Sequence, residues 1–186
     1  MTTMSLAGTQ KFKPGVKPKW TTKELEEQEL FTAYIVKTLK SKLKKLEMSS
    51  TESVKAGMLW HLKTTIAGVL DSSNSLKQIV EDLHPTPAVC GLPKDMAQDF
   101  ILRMENYDRK YYTGFLGELN MEASDVANKN ADPKTTLYVN LRCMELTKKE
   151  AFIYIGGGIT EASDPEKEWQ ETEDKSSTML QVIQGN

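Results

Sequence analysis

The stretch AFIYIGGGITEASDPEKEWQETEDK, Ala151 to Lys175, decides how the rest of the chain is read. Its opening, Phe152-Ile153-Tyr154-Ile155, is a short apolar run of aromatic and β-branched residues, which predicts a buried strand. That strand runs into Gly156-Gly157-Gly158, where the missing Cβ atoms let the backbone turn and another group come close, so the triplet is a candidate anion or ligand loop. Asp164 followed by Pro165 predicts the N-cap and first position of a helix. Along it Glu168, Glu171 and Lys175 stand three and four residues apart and share a face. Taken singly, a glycine run is a turn and a Glu-x-x-Glu pair is a solvated helix face. Two carboxylates and an ammonium set directly after a glycine turn are a more specific combination.

Composition narrows the classes. A chain of 186 residues suits one domain, and 24 basic against 26 acidic residues, a net charge of −2, make no global electrostatic case for nucleic acid. Two cysteines, Cys90 and Cys143, are too few for a disulfide framework. No n-region and apolar h-region open the chain, and no apolar run approaches the roughly 20 residues of a membrane span. The expectation is a cytoplasmic, reducing setting with no membrane and no nucleic-acid partner. No internal repeat, P-loop, zinc-ligand spacing or Ser/His/Asp set is present.

From the start, Met1 to Thr9 reads as a short strand with a Gly8-Thr9 turn, and Lys11 to Lys19, with Pro14, Gly15 and Pro18, as an exposed loop. Thr21 and Glu24 form a capping-box pattern, after which Leu25, Tyr34 or Ile35, Leu39, Leu43 and Leu46 predict a helix from Thr22 to about Leu46. Its acidic first turns and basic last turns complement the helix dipole. Val54 to Leu70 predicts extended structure interrupted at Gly57 and Gly68, with His61 inside it. On its own, a histidine between Trp60 and Leu62 is read as an interior residue. Ser72 to Leu83 predicts a helix, HPTPAVCGLP a constrained turn, and Pro93 to about Tyr107 a helix with Met96, Phe100, Ile101 and Met104 toward the core. Tyr111 to Gly117 reads as a strand with two glycines, Met121 to Pro133 as a hairpin loop and Thr135 to Leu146 as a strand in which Arg142 shares a face with Tyr138 and Asn140. A surface ion pair and a carboxylate-binding fork are equally compatible with that arginine.

The segment GGGITEASDPEKEWQETEDK, Gly156 to Lys175, resembles the C-terminal signature of the chorismate-utilising enzymes, in which a glycine turn and a Glu-x-x-Glu-Thr-x-x-Lys helix hold magnesium and a substrate carboxylate. The resemblance runs upstream through essentially the whole chain, and His84-Pro85-Thr86-Pro87-Ala88-Val89 is similar to the isochorismate synthase branch. It implies an α/β (α+β) fold, a large, mainly antiparallel sheet flanked by helices. Residues 1–186 would be the C-terminal portion of a chorismate-binding domain, since Leu6-Ala7-Gly8-Thr9 lies mid-chain in the family. It further implies an isomerase that converts chorismate to isochorismate for menaquinone or siderophore synthesis. A non-catalytic fragment of the family that binds ligand or a partner half, and a salicylate synthase, are the alternatives.

Residue by residue, the resemblance implies substrate contacts at Gly8, Thr9, His61, Ala88, Val89, Tyr112, Arg142, Gly156, Gly158 and Lys175. It implies Mg2+ ligands at Glu24, Glu27, Glu168 and Glu171, two pairs expected to converge on one ion. The family usually has His after the second glutamate of the first pair, where this chain has Gln28. The general base, a lysine, and the general acid, a glutamate, lie upstream of Leu-Ala-Gly-Thr in the family, so this chain alone is expected to be inactive. Its expected partners are chorismate and either the missing N-terminal half or a second copy paired through exposed sheet edges.

Overall fold

The strand-forming runs pair as antiparallel ladders, and the helices form where apolar residues recur at helical spacing. The computed structural model describes residues 1–121 and 133–185. The chain divides into two compact units, Met1–Glu105 with Gly158–Ser163 and Asn106–Gly157 with Asp164–Asn186. Every strand pair among the described residues is antiparallel, as the α+β expectation requires.

The first unit carries β1 (Thr2–Lys11), α1 (Thr22–Leu39), β2 (Leu43–Met48), β3 (Glu52–Ala56), β4 (Leu59–Leu70), α2 (Leu76–Leu83) and α3 (Lys94–Met104). The long β4 is its spine: β1 pairs along one edge, while β2 and β3 share the other. Helix α1 lays Gln28, Phe31, Ile35 and Leu39 inward, a stripe at helical spacing. Ile35, Leu39, Leu43, Ile66 and Ile79 form the core, with Tyr34, Val36, Leu46 and Leu83 packed against it.

Several expected boundaries move. Helix α1 ends at Leu39, and Leu43 and Leu46 belong to β2, whose Leu43 pairs with Leu70. Leu39 and Leu43 meet in one core from two different elements, so a single helical period could be drawn through both. Leu25, expected on the inner face, is exposed, and buried Gln28 takes the corresponding place. The extended stretch Val54 to Leu70 folds as the β3–β4 hairpin, turned at Gly57, whose φ of 60° is left-handed. Helix α2 starts at Leu76 with Ser75 accepting from the Gln78 N–H as its N-cap. Helix α3 stops at Met104, and Met96, Phe100 and Met104 are exposed, Phe100 at 62%, so the expected core face is an outer face.

The second unit carries β5 (Phe115–Met121) paired with β6 (Lys134–Val139), β7 (Cys143–Leu146) paired with β8 (Ala151–Tyr154), and α4 (Pro165–Gln184). Tyr111 and Tyr112 lie in a turn before β5 and not on a strand. Gly117 is where two backbones touch: a Cβ there would collide with the Thr136 carbonyl oxygen. The strand expected from Thr135 to Leu146 breaks between β6 and β7, and Arg142 sits in that break with φ of 50°, so it does not alternate with Tyr138 and Asn140. The loop expected from Met121 to Pro133 falls, for residues 122–132, outside the described residues.

Candidate functional site

In the first unit the candidate residues gather around an irregularity in β1. The register against β4 shifts between Ala7 and Gln10, and Gly8 takes φ of 64°, the signature of a glycine bulge. A Cβ at Gly8 would stand 3.2 Å from Trp20 Cζ3 and 3.5 Å from Glu24 Cβ, so side chain and conformation both demand glycine. The Gly8 carbonyl lies 2.8 Å from Nδ1 of buried His61. A carbonyl only accepts, so Nδ1 carries a proton. The interior reading of His61 agrees with its burial. Thr9 follows on the bulge, half-buried.

The first turn of α1 presents the carboxylates. Glu24 Oε2 accepts the Thr21 backbone N–H at 2.7 Å and the Thr21 hydroxyl at 3.1 Å, the expected capping interaction. Gln10 Nε2 donates to both Glu24 oxygens, at 3.1 and 3.0 Å. One turn on, Glu27 Oε1 would be 3.3 Å from a Cβ at Gly158, so this carboxylate lies against the glycine backbone. Ala88 and Val89 occupy the turn between α2 and α3, with the Val89 N–H on the Thr86 carbonyl, on a connecting segment and not on the sheet that carries Gly8 and His61. Lys94 Nζ donates to the His84 carbonyl at 2.9 Å and closes that turn. Burial, with the Lys94 charge adding to it, holds the His84 imidazole below its ordinary pKa.

In the second unit Asp164 caps α4 by accepting the Lys167 N–H, and Pro165 opens it. This aims the Glu168, Glu171 and Lys175 face at the glycine turn. Lys175 Nζ donates to the Gly156 carbonyl at 3.1 Å and pairs with Glu171 at 2.7 Å, its side chain only 13% exposed. Glu168 is buried, and its Oε2 would be 3.6 Å from a Cβ at Gly157. Gly156 needs to be glycine for a different reason from Gly8: a Cβ would stand 2.6 Å from Tyr112 Oη. Arg142 is half-buried; desolvation lowers its pKa while the Glu171 charge opposes that. A bulky side chain at positive φ is a strained conformation that clusters at functional positions.

Three residues that sequence reasoning passed over support this arrangement. Tyr112 stacks on Tyr154 at 5.8 Å with rings 24° apart. Tyr154 Oη donates to Glu145 at 3.3 Å, and Lys110 Nζ pairs with the same carboxylate at 2.6 Å. The Lys110 hydrogen bond holds the Glu145 carboxyl below its usual range. Lys110 and Glu145 are 35 residues apart, and no local pattern announces their meeting.

Within each unit the described residues contain no group of three or more His, Cys, Asp or Glu side chains set to hold a metal. The donors present are carboxylate oxygens, the kind that suits a hard cation such as magnesium. No helix among the described residues is long and apolar enough to cross a membrane.

The pattern of the family described as chorismate binding enzyme matches residues 19–184. The chain is 34% identical to the isochorismate synthase DhbC of Bacillus subtilis over 163 residues, 87% of this chain and 38% of that one. It is 32% identical to the isochorismate synthase EntC of Escherichia coli K12 over 162 residues, 87% of this chain and 39% of the relative. Its fold superposes on MenF, the menaquinone-specific isochorismate synthase of Escherichia coli, with a TM-score of 0.79 and 26% identity, over 98% of this chain and 42% of that one. The chain thus spans about two fifths of the relatives it matches. On this match and on the glycine turn with its Glu-Glu-Lys helix, the chain belongs to the chorismate-binding enzymes.

Proposed function

We propose that this chain is the chorismate- and magnesium-holding portion of an isochorismate synthase that serves menaquinone or siderophore synthesis. The observation that carries the reading is Lys175, a nearly buried ammonium held between the Gly156 carbonyl and the Glu171 carboxylate at an exposed glycine turn. Chorismate is a dianion, and a protein that holds it needs cations and backbone donors at fixed positions. Arg142 and Lys175 supply the charge, and Gly156, Gly158, Gly8 and Thr9 the backbone. Arg142 presents a planar fork that can take a carboxylate with two parallel hydrogen bonds. His61, held through Nδ1 by the Gly8 carbonyl, would contact the hydroxyl end of the substrate. Tyr112, Ala88 and Val89 would flank the ring.

Glu24, Glu27, Glu168 and Glu171 are the proposed magnesium ligands, and the bound ion would supply positive charge that ties a substrate carboxylate to the protein.

The reading includes binding without turnover by this chain, since the family's base and acid lie in a part of the domain these residues do not match. Positioned acid and base each contribute roughly a hundred- to ten-thousand-fold in rate. The rest of the family domain, or a second copy, is the proposed partner along the edge of β1 that no other described strand pairs, on the strand where Met4 and Leu6 are exposed. A cytoplasmic setting is part of the same proposal. Calorimetric titration of the purified chain with chorismate and Mg2+, followed by chromatography for isochorismate, tests it. Binding that needs Lys175 and yields no product is expected. Product abolished by Glu171→Ala would place the base and acid among these residues, and absence of binding would overturn the reading. Sedimentation is expected to show self-association, and a compact, cooperatively melting monomer would contradict it.

A further inference from the structure

We infer that Gln28 is a positioning residue for the Glu27 carboxylate, locking the rotation and register of the first turns of α1 against the sheet; this rests on the proposed role of Glu27 as a metal ligand. Gln28 is 2% exposed and is the one polar member of the buried stripe Gln28, Phe31, Ile35 and Leu39. An apolar stripe alone lets a helix slide or roll on a sheet at little cost, because dispersion contacts have no direction. A hydrogen-bonded side chain in that stripe does not. The Gln28 amide donates to Ser5 Oγ of β1 at 2.9 Å and to Thr64 Oγ1 of β4 at 2.9 Å, so one side chain is fastened to two strands.

The hydroxyl protons fix the direction of the bonds among Thr32, Ser5 and Gln28. Thr32 spends its only proton on the Gln28 carbonyl oxygen of the main chain, at 2.7 Å, so Ser5 must donate to Thr32 Oγ1, at 2.6 Å. Ser5 then has only lone pairs for Gln28, which must present its NH2 there. Thr64 accepts from the same NH2, and its hydroxyl also shares a hydrogen bond with Thr51 Oγ1 at 2.9 Å. With both amide protons used, Gln28 Oε1 is buried with no hydrogen-bond partner. A site selected for stability alone would fill this volume with Leu or Met and leave no orphan acceptor. What the amide gives in return is a defined placement of the neighbouring residue, and that residue, Glu27, holds its carboxylate against the Gly158 backbone. Outer side chains that orient ligands typically change metal affinity 10- to 100-fold when removed.

The test is Mn2+ titration of the whole chain by electron paramagnetic resonance, with the melting temperature of each variant measured alongside. Gln28→Met is expected to keep or raise the melting temperature and to weaken Mn2+ binding by roughly 10- to 100-fold. Gln28→His, which retains a ring N–H for one hydroxyl, is expected to recover most of the affinity. Thr64→Val, nearly the same shape without the acceptor, is expected to shift affinity in the same direction as Gln28→Met. Unchanged Mn2+ affinity in Gln28→Met overturns the inference and leaves the metal reading standing. A fall in melting temperature with affinity intact also overturns it, since that is a purely structural role. A wild-type chain that binds no Mn2+, or binds it equally well as Glu27→Gln, overturns the metal reading together with the inference.

Discussion

The two units of this chain bury their residues very differently. The first places Leu39, Ile66 and Ile79 out of reach of solvent and threads a hydroxyl and amide network beneath them. In the second, only Tyr112 and Glu168 are buried among the described residues, while Leu116, Leu119, Tyr138 and Leu146 stand exposed on two separate hairpins. Yet the second unit holds Arg142, Lys175 and most of the glycine turn. A two-stranded hairpin is marginal in water by itself. The contrast shows that cohesion and the proposed anion-binding groups are supplied by different stretches of one chain, and that the second unit leaves apolar area of the kind a further polypeptide segment covers.

The largest effect expected from breaking this contrast is in the first core. Ile66→Ala should cost about 2–5 kcal/mol in denaturant unfolding, through lost contacts and a cavity. Leu146→Ala, at a site 66% exposed, should stay within about 0.5 kcal/mol. Equal costs would mean that the second unit has a core of its own. Next in size, Lys175→Ala should weaken chorismate binding by about 1.5–3 kcal/mol, read by calorimetry, and leave the melting of the first unit where it was. If that melting shifted, the two roles would not be separable.

A smaller change is expected from Gly156→Ala. Its Cβ must displace the Tyr112 hydroxyl, so chorismate affinity should fall several-fold while circular dichroism stays unaltered. Retained affinity would show that the turn tolerates a shift and that Tyr112 does not set it. The smallest is a pH effect confined to the first unit. Asp71, hydrogen-bonded by the Ser73 backbone and then by Lys44, has its pKa lowered from 3.8 to about 2. Its folded pKa lies below the unfolded one, so its contribution is complete above pH 3.8 and is lost as pH falls through about 2. Asp71→Asn should flatten the acid limb of melting temperature against pH in that window and leave neutral pH nearly unchanged.

Much of this was legible in the sequence. Asp164-Pro165 announced α4, the Thr21 and Glu24 pattern announced the start of α1, and the face of Glu168, Glu171 and Lys175 followed from their spacing. These are local effects, decided by a few neighbouring residues whose capping and conformational preferences do not depend on the rest of the fold. The glycine turn was legible as a place of close approach, but which groups approach it was not. The exposure of Met96, Phe100 and Met104 was also hidden, because periodicity identifies an apolar face without saying what covers it.

What the sequence by itself determined, then, was the starts and caps of α1 and α4 and the proposed roster of the site. Only the tertiary structure decided that α1 stops at Leu39, because the pairing of Leu43 with Leu70 outweighs a helical period drawn through two elements. It alone decided that Arg142 sits in a break and not on a strand, that a bulge at Gly8 turns a carbonyl onto His61, and that Gln28 is fastened to Ser5 and Thr64. The end of α1, the His61 contact and the Gln28 network depend on partners 23 to 53 residues away, whose positions are settled by ladder register and burial, and no local propensity carries that information.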